Sequence, residues 1–295
     1  MTFRPMDLDS FSETIQQVWR RMSPCVLCPR QCKVDRSGGQ TGFCGIADMP
    51  VVSSAGPHFG EESVLVGSGG SGTIFFAGCN LGCIFCQNFD ISHHRHGQEV
   101  TIEQLAQSML RLQRYCCSNI NFVTPTHVIP AIVAALELAR KSGLTLPTVY
   151  NTGGYDSVET LQLLEGFVDI YMPDMKYADA KVAEQLSAAP DYPQVNRAAV
   201  KEMHRQVGDL QVENGLATRG LLVRHLVLPE NLAGSFETID FLAEQISPTT
   251  TINVMAQYRP CYRASSYPLI SRRPTLEEIQ SARQYAINRR LNVLT

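Results

Sequence analysis

The sequence contains no apolar run approaching the ~18 residues that a membrane helix needs, so no spanning helix is expected. Its first 23 residues are polar and charged, without the apolar centre of a secretory leader, so we expect a cytoplasmic chain with no signal peptide. It also has no long run of like charge. Its 25 basic and 28 acidic residues leave a net charge of −3, which argues against nucleic acid or a membrane surface as partner. There is no low-complexity segment and no internal repeat beyond an alternation of strand-like and helix-like stretches. Cysteine, by contrast, is abundant, at ten in 295 residues. In a cytoplasmic chain that points to metal or redox chemistry rather than disulfides.

Three of the ten lie in Gly78-Cys79-Asn80-Leu81-Gly82-Cys83-Ile84-Phe85-Cys86, a C-x-x-x-C-x-x-C run on the loop after the strand-like segment 72–78. Three thiolates so close can hold three corners of a cubic 4Fe–4S cluster, which ordinarily takes four cysteines. No fourth cysteine is near, so one iron is left open for substrate. Part of a zinc site, or reduced core thiols, are the alternatives. Four more cysteines, Cys25, Cys28, Cys32 and Cys44, fall within a Gly- and Pro-rich stretch. That grouping reads as a second metal site, either zinc or iron–sulfur. The histidines His93, His94 and His96, and the thiols Cys116, Cys117 and Cys261, are given no role.

Along the chain, residues 10–22 form an amphipathic helix, and residues 51–71 are a Gly- and Ser-rich connection whose His58, Glu61 and Glu62 are solvated. Strands are expected at 72–78, 119–124, 147–151, 168–172, 221–228 and 251–258. Helices are expected at 101–117, 130–141, 157–164, 178–187, 191–207, 235–245 and 275–288. Six strand–helix units predict an α/β fold with a parallel sheet, a partial (β/α)6 TIM-like barrel carrying a small N-terminal cysteine-rich metal-binding element. The organisation is then residues 1–50 as N-terminal helix and cysteine-rich element, 51–71 as connecting loop, and 72–295 as barrel with a C-terminal helix. Sites in such barrels form at the C-terminal ends of the strands. There the sequence places the three cysteines, Thr124-Pro125-Thr126-His127, Asn151-Thr152-Gly153, Asp174 with Lys176, and Gln257-Tyr258. An apolar wall from Phe122, Val149, Tyr171 and Val223 is expected to line the interior.

The cysteine run, with Phe85 before its last cysteine, resembles the signature of the radical S-adenosylmethionine (SAM) enzymes. Over residues 72–260 the chain is similar to the activating enzymes of pyruvate formate-lyase, and the Cys-Pro-Arg-Gln-Cys element with Phe75-Phe76-Ala77-Gly78-Cys79 resembles a branch related to them. The resemblance implies that Cys79, Cys83 and Cys86 hold a 4Fe–4S cluster and that SAM occupies the fourth iron. It further implies reductive cleavage of SAM to a 5′-deoxyadenosyl radical that takes hydrogen from a substrate, such as a glycine of a glycyl radical enzyme. A non-protein substrate, or a non-catalytic iron–sulfur or zinc protein, are the other readings. A flavodoxin or ferredoxin is the implied electron donor. The family's Gly-Gly-Glu after the second strand is replaced here by Thr124-Pro125-Thr126, so Thr124 or Thr126 must stand in for its Glu. Asn151-Thr152 looks like the family's Asp-Thr pair, and Asp174 with Lys176 like its Asp-x-Lys segment. Arg224 matches its arginine near the SAM carboxylate, a role that a bidentate guanidinium suits.

Overall fold

The computed structural model describes residues 8–294. In chain order the elements are α1 (Glu13–Arg20), β1 (Val51–His58), α2 (Ser63–Val66), β2 (Ser71–Phe76), α3 (Phe89–Ser92), β3 (Gln98–Glu99), α4 (Ile102–Arg114) and β4 (Ile120–Val123). They continue with α5 (Ile129–Lys141), β5 (Thr148–Thr152), α6 (Val158–Gln162), β6 (Ile170–Pro173), α7 (Ala180–Ser187) and α8 (Tyr192–Val207). The rest are β7 (Gln211–Glu213), β8 (Leu216–Leu226), α9 (Ser235–Gln245), β9 (Thr251–Met255), α10 (Leu276–Asn288) and β10 (Asn292–Val293). Side-chain caps start α4, α6, α7 and α10. Thr101 and Gln104 close a capping box on α4, whose Ile102, Leu105, Ala106, Met109 and Leu112 are buried.

Strand order is β10-β9-β8-β6-β5-β4-β2-β1-β3, with β7 on the flank of β8. From β2 to β10 the pairs along this path are parallel, as strand–helix–strand units require. The fold is therefore α/β with a mostly parallel sheet, open rather than closed into eight strands. One expectation fails at the edge. Where a connecting loop is expected, Val51–His58 forms a strand antiparallel to β2, and α2 follows it. The glycines and serines of this stretch conceal its pairing, because register with β2 is a tertiary fact that local composition does not carry.

The sheet's two faces differ. Phe76, Phe122, Tyr150, Tyr171, Val223 and Ile252 pack with Leu105, Met109, Ile132, Val200, Met203 and Leu242 of the surrounding helices. On the concave face Val149, Ile170, Met172 and Leu222 meet Leu65 of α2, which is fully buried. α2 thus plugs the N-terminal end of the half-barrel, and burying Leu65 stabilises that closure by about 1.5–3 kcal/mol. The expected apolar interior wall is corrected accordingly. Only Val149 faces inward, because the period of two sends Phe122, Tyr171 and Val223 to the helix side. Among the described residues no helix is long and apolar enough to cross a membrane.

Candidate active site and cysteine centres

Two residues past the end of β2 lies Gly78, whose φ of +81° is left-handed and whose missing Cβ would lie 2.7 Å from the Cys44 carbonyl oxygen. The chain turns there into the three-cysteine loop. Gly82 and Ile84 donate N–H bonds to the carbonyls of Ser187 and Leu186 at the end of α7, at 3.1 and 2.9 Å. Arg30 ties the N-terminal element to the same place, its Nε donating to the Asn80 carbonyl at 2.9 Å. Each thiol has a polar neighbour: Leu81 N–H on Cys79 Sγ at 3.4 Å, the Ser187 hydroxyl on Cys83 Sγ at 2.9 Å, and the Ser92 hydroxyl beside Cys86 Sγ at 3.1 Å. Phe85 seals the loop edge-on against Tyr177 and Tyr258. Burial pushes the Cys79 and Cys83 thiols well up, opposed for Cys83 by the Lys176 ammonium. A metal bound there would have to drive their deprotonation.

Facing the thiols across a cavity of about 250 Å³ are Asp174, Lys176 and Arg224, brought together from the ends of β6 and β8. Lys176 Nζ donates to Asp174 Oδ2 at 2.6 Å, and Arg224 Nε to Asp174 Oδ1 at 3.0 Å. Arg224 Nη2 donates to Asn151 Oδ1 at 2.7 Å. Burial raises the Asp174 carboxyl, but the two cations outweigh it and hold the group below its usual range. Gly154, at φ +75°, allows this close approach; a Cβ there would fall 2.1 Å from the Asp174 carbonyl oxygen. Both cations remain partly open, at 18% and 17% side-chain exposure, so either can take an anionic group of a ligand.

Thus Cys83, Cys86, Asp174, Lys176 and Arg224 share one cavity, with Asn151 at its base and Cys79 on the same loop. The threonines lie elsewhere. Thr126 and Thr152 donate hydroxyls to the two oxygens of Asp156, both at 2.7 Å, and Tyr150 joins them at 2.8 Å. Burial raises the Asp156 carboxyl despite those three donors. Thr124, at φ +60°, ends β4 as a strained turn residue, its N–H on the Asn151 carbonyl. Tyr258 spends its hydroxyl on the Ile270 carbonyl.

Sequence reading leaves Glu61 and Glu62 in solvent, whereas the structure carries them into the half-barrel beneath this site. Glu61 accepts from Asn121 Nδ2 at 2.7 Å, Asn151 Nδ2 at 3.0 Å and Arg224 Nη1 at 3.3 Å. Glu62 accepts from Asn253 Nδ2 at 2.7 Å, and burial raises its carboxyl against the pull of Arg224. Only the antiparallel β1–β2 pairing delivers these carboxylates, and no local signal marks it. Asn121 and Asn253 were legible only as polar residues on otherwise apolar strands.

The four N-terminal cysteines line a second, small cavity together with Arg30, Arg36, Asn80 and His127. Burial pushes Cys28 up to about 12 and raises Cys44, the latter opposed by Arg36. Among the described residues no three His, Cys, Asp or Glu side chains close around a point that a single ion would occupy. A cubane asks less, since each iron takes one thiolate and the sulfurs stand apart. His93 Nε2 donates to the Cys83 carbonyl at 3.1 Å and its ring stacks on Tyr262, while His94 and His96 stay exposed. A wider cavity of about 390 Å³ near α10 is ringed by Arg272 with Glu230 and Glu278. It holds no thiol, so the chemistry belongs to the smaller one.

Comparison with known proteins gives the same assignment. Residues 73–242 match the Radical SAM superfamily. The uncharacterised protein MJ0674 of Methanocaldococcus jannaschii is 34% identical over 99% of this chain and 81% of its own. A pyruvate formate-lyase-activating enzyme of Clostridium pasteurianum is 30% identical, but over only 41% of this chain and 52% of its own. Among solved structures, a radical SAM methyltransferase from Sphaerobacter thermophilus superposes with a TM-score of 0.52 at 16% identity, over 75% of this chain and 65% of that one; the likeness is one of fold. With more than half its length matched, and with Cys83 and Cys86 of its cysteine loop facing a cation pair, this chain belongs to the radical SAM superfamily.

Proposed function

We propose that the chain binds SAM at the cavity between its cysteine loop and Lys176–Arg224, and there takes a hydrogen atom from a substrate. Membership of the superfamily implies a 4Fe–4S cluster and SAM, and the residues present fit both: three thiols for three irons, two cations for a carboxylate, one carboxylate for an amine. When bound, these two groups together supply one electron and a carbon-centred radical, chemistry that side chains do not provide. The chain's part is to bind and orient. Lys176 and Arg224 hold the methionyl carboxylate, Asp174 and the Asn151 amide fix both cations, and Phe85, Leu226 and Met255 keep water off the reacting centre. The missing Gly-Gly-Glu leaves the amino group to Asp174 and to backbone carbonyls near Thr124.

The convergence of Cys83 and Cys86 with Asp174, Lys176 and Arg224 on one cavity carries this reading. A glycine of a glycyl radical enzyme is the substrate class that the partial similarity to the Clostridium activating enzyme supports. A flavodoxin or ferredoxin is the electron donor, and the N-terminal cysteines hold a second centre, zinc or iron–sulfur. Anaerobic reconstitution with iron and sulfide, then dithionite and SAM, is expected to yield 5′-deoxyadenosine. Cys83→Ala is expected to yield none; turnover by that variant at the normal rate refutes the assignment.

A further inference from the structure

The N-terminal cysteine cavity contains two buried groups that thiols alone do not satisfy. Arg36 is 1% exposed and is the largest fully buried side chain among the described residues. Its Nε and Nη2 both donate to one backbone carbonyl, that of Ala47, at 2.9 and 2.5 Å. No carboxylate stands within ion-pair distance of it among the described residues. A buried guanidinium without counter-charge is strongly unfavourable. Protonated thiols are neutral and supply none, whereas even three thiolates around an oxidised 4Fe–4S cluster leave a net negative charge.

His127 is the second group. It comes from the barrel, in the turn between β4 and α5, and is also 1% exposed. Its Nε2 lies 2.8 Å from the Ala77 carbonyl, an acceptor only, so Nε2 carries the proton. The neutral ring then leaves a lone pair on Nδ1, and Nδ1 is buried without a partner. A histidine fixed through one nitrogen to a carbonyl, with the other free, is the arrangement by which proteins present imidazole to a metal. His127 lines the same cavity as Cys25, Cys28, Cys32 and Cys44.

We propose that this cavity holds an iron–sulfur cluster of net negative charge, bound by thiolates from three of the four cysteines and by His127 Nδ1, with Arg36 as its counter-ion. The centre is then not a self-contained knuckle. The N-terminal element and the barrel build it jointly, with Asn80, next to Cys79, on its wall. Metal here locks residues 25–44 onto the back of the three-cysteine loop, through Arg30 on Asn80 and the Cys44 carbonyl at Gly78. This deepens the second-centre reading above and does not rest on SAM cleavage.

The test uses the full chain with Cys79, Cys83 and Cys86 all changed to Ser, purified anaerobically, so that the other site contributes no metal. Elemental and acid-labile sulfide analysis is expected to find about one cluster per chain, with iron and sulfide in equal amounts. Zinc without sulfide overturns the proposal, since no three of these side chains among the described residues close around one ion. Adding His127→Ala, with His127→Gln as a second variant that keeps the bulk, is expected to speed loss to a chelator at least about tenfold. It should also move the absorption bands of the iron-loaded chain. Arg36→Lys should retain the centre and Arg36→Met should lose it, with far-ultraviolet circular dichroism reporting the fold of each. A metal-free triple variant overturns the proposal. So do unchanged bands and chelator kinetics in both His127 variants.

Discussion

Replacing Arg224 by Met tests the charge network under the site. The guanidinium sits among three carboxylates: Asp174 through Nε, Glu61 through Nη1, and Glu62 by electrostatics. Breaking a buried pair by removing one partner costs about 3–5 kcal/mol. With Arg224 17% exposed, the lower figure applies. At about 2–4 °C per kcal/mol, a loss of about 3 kcal/mol is a fall of about 6–12 °C in Tm. The pH dependence has a definite sign. In the native chain Asp174 is held below its usual range, so its contribution is present above the unfolded carboxyl value of 3.8 and is lost only as pH falls through its lower folded pKa. Without Arg224 the burial that already raises Glu62 loses its main opposition, so its folded pKa moves further above the unfolded one, while Asp174 keeps Lys176 but loses one of its two cations. The ionised form of Glu62 then destabilises the variant at neutral pH, and stability returns as pH falls through that raised value. Circular-dichroism melts of the metal-free chain should show the gap from wild type shrinking from about pH 7.5 to about pH 5. Arg224→Lys keeps the charge but not the fork, and should lose only about 1–2 kcal/mol. A gap that does not vary with pH, or one under about 1 kcal/mol for Met, refutes this account of the network.

Two other substitutions probe the scaffold. Gly78→Ala forces a side chain into a left-handed turn and against the Cys44 carbonyl and Ile46. It should cost about 2 kcal/mol or more and lower the iron retained by the three-cysteine loop, read by elemental analysis. Asp156→Ala strands the Tyr150 hydroxyl and one of the Thr126 and Thr152 hydroxyls, which lie 3.1 Å apart and can bond only one to the other. At about 1–3 kcal/mol for each buried donor left unpaired, it should be among the most damaging single changes, seen as a Tm loss larger than that of Arg224→Lys.

How much of this was legible in the chain depended on locality. The six barrel strands and their helices follow from period and composition. Asn151, Asp174, Lys176 and Arg224 stand at strand ends, where a barrel site must form, and the structure brings them together. Thr126 and Thr152 stand at strand ends too, yet Asp156 claims both hydroxyls; the carboxylate that decides their direction lies four residues beyond Thr152. Glu61 and Glu62 were invisible for a stronger reason. They are placed by the β1–β2 pairing, whose register no local pattern encodes. The role argued for His127 is equally non-local, since it depends on Ala77 holding one ring nitrogen and on cysteines about a hundred residues away.

The central claim is that Cys79, Cys83 and Cys86 leave one metal position to SAM. It is tested most directly by electron paramagnetic resonance with nuclear hyperfine detection. The sample is the full chain lacking Cys25, Cys28, Cys32 and Cys44, reconstituted, reduced and mixed with SAM labelled in its amino nitrogen and carboxylate oxygens. The account predicts that the cluster signal shifts on adding SAM and shows coupling to both labels, and that Lys176→Met with Arg224→Met weakens it. A cluster signal that SAM leaves unchanged, with no coupling to either label, contradicts it.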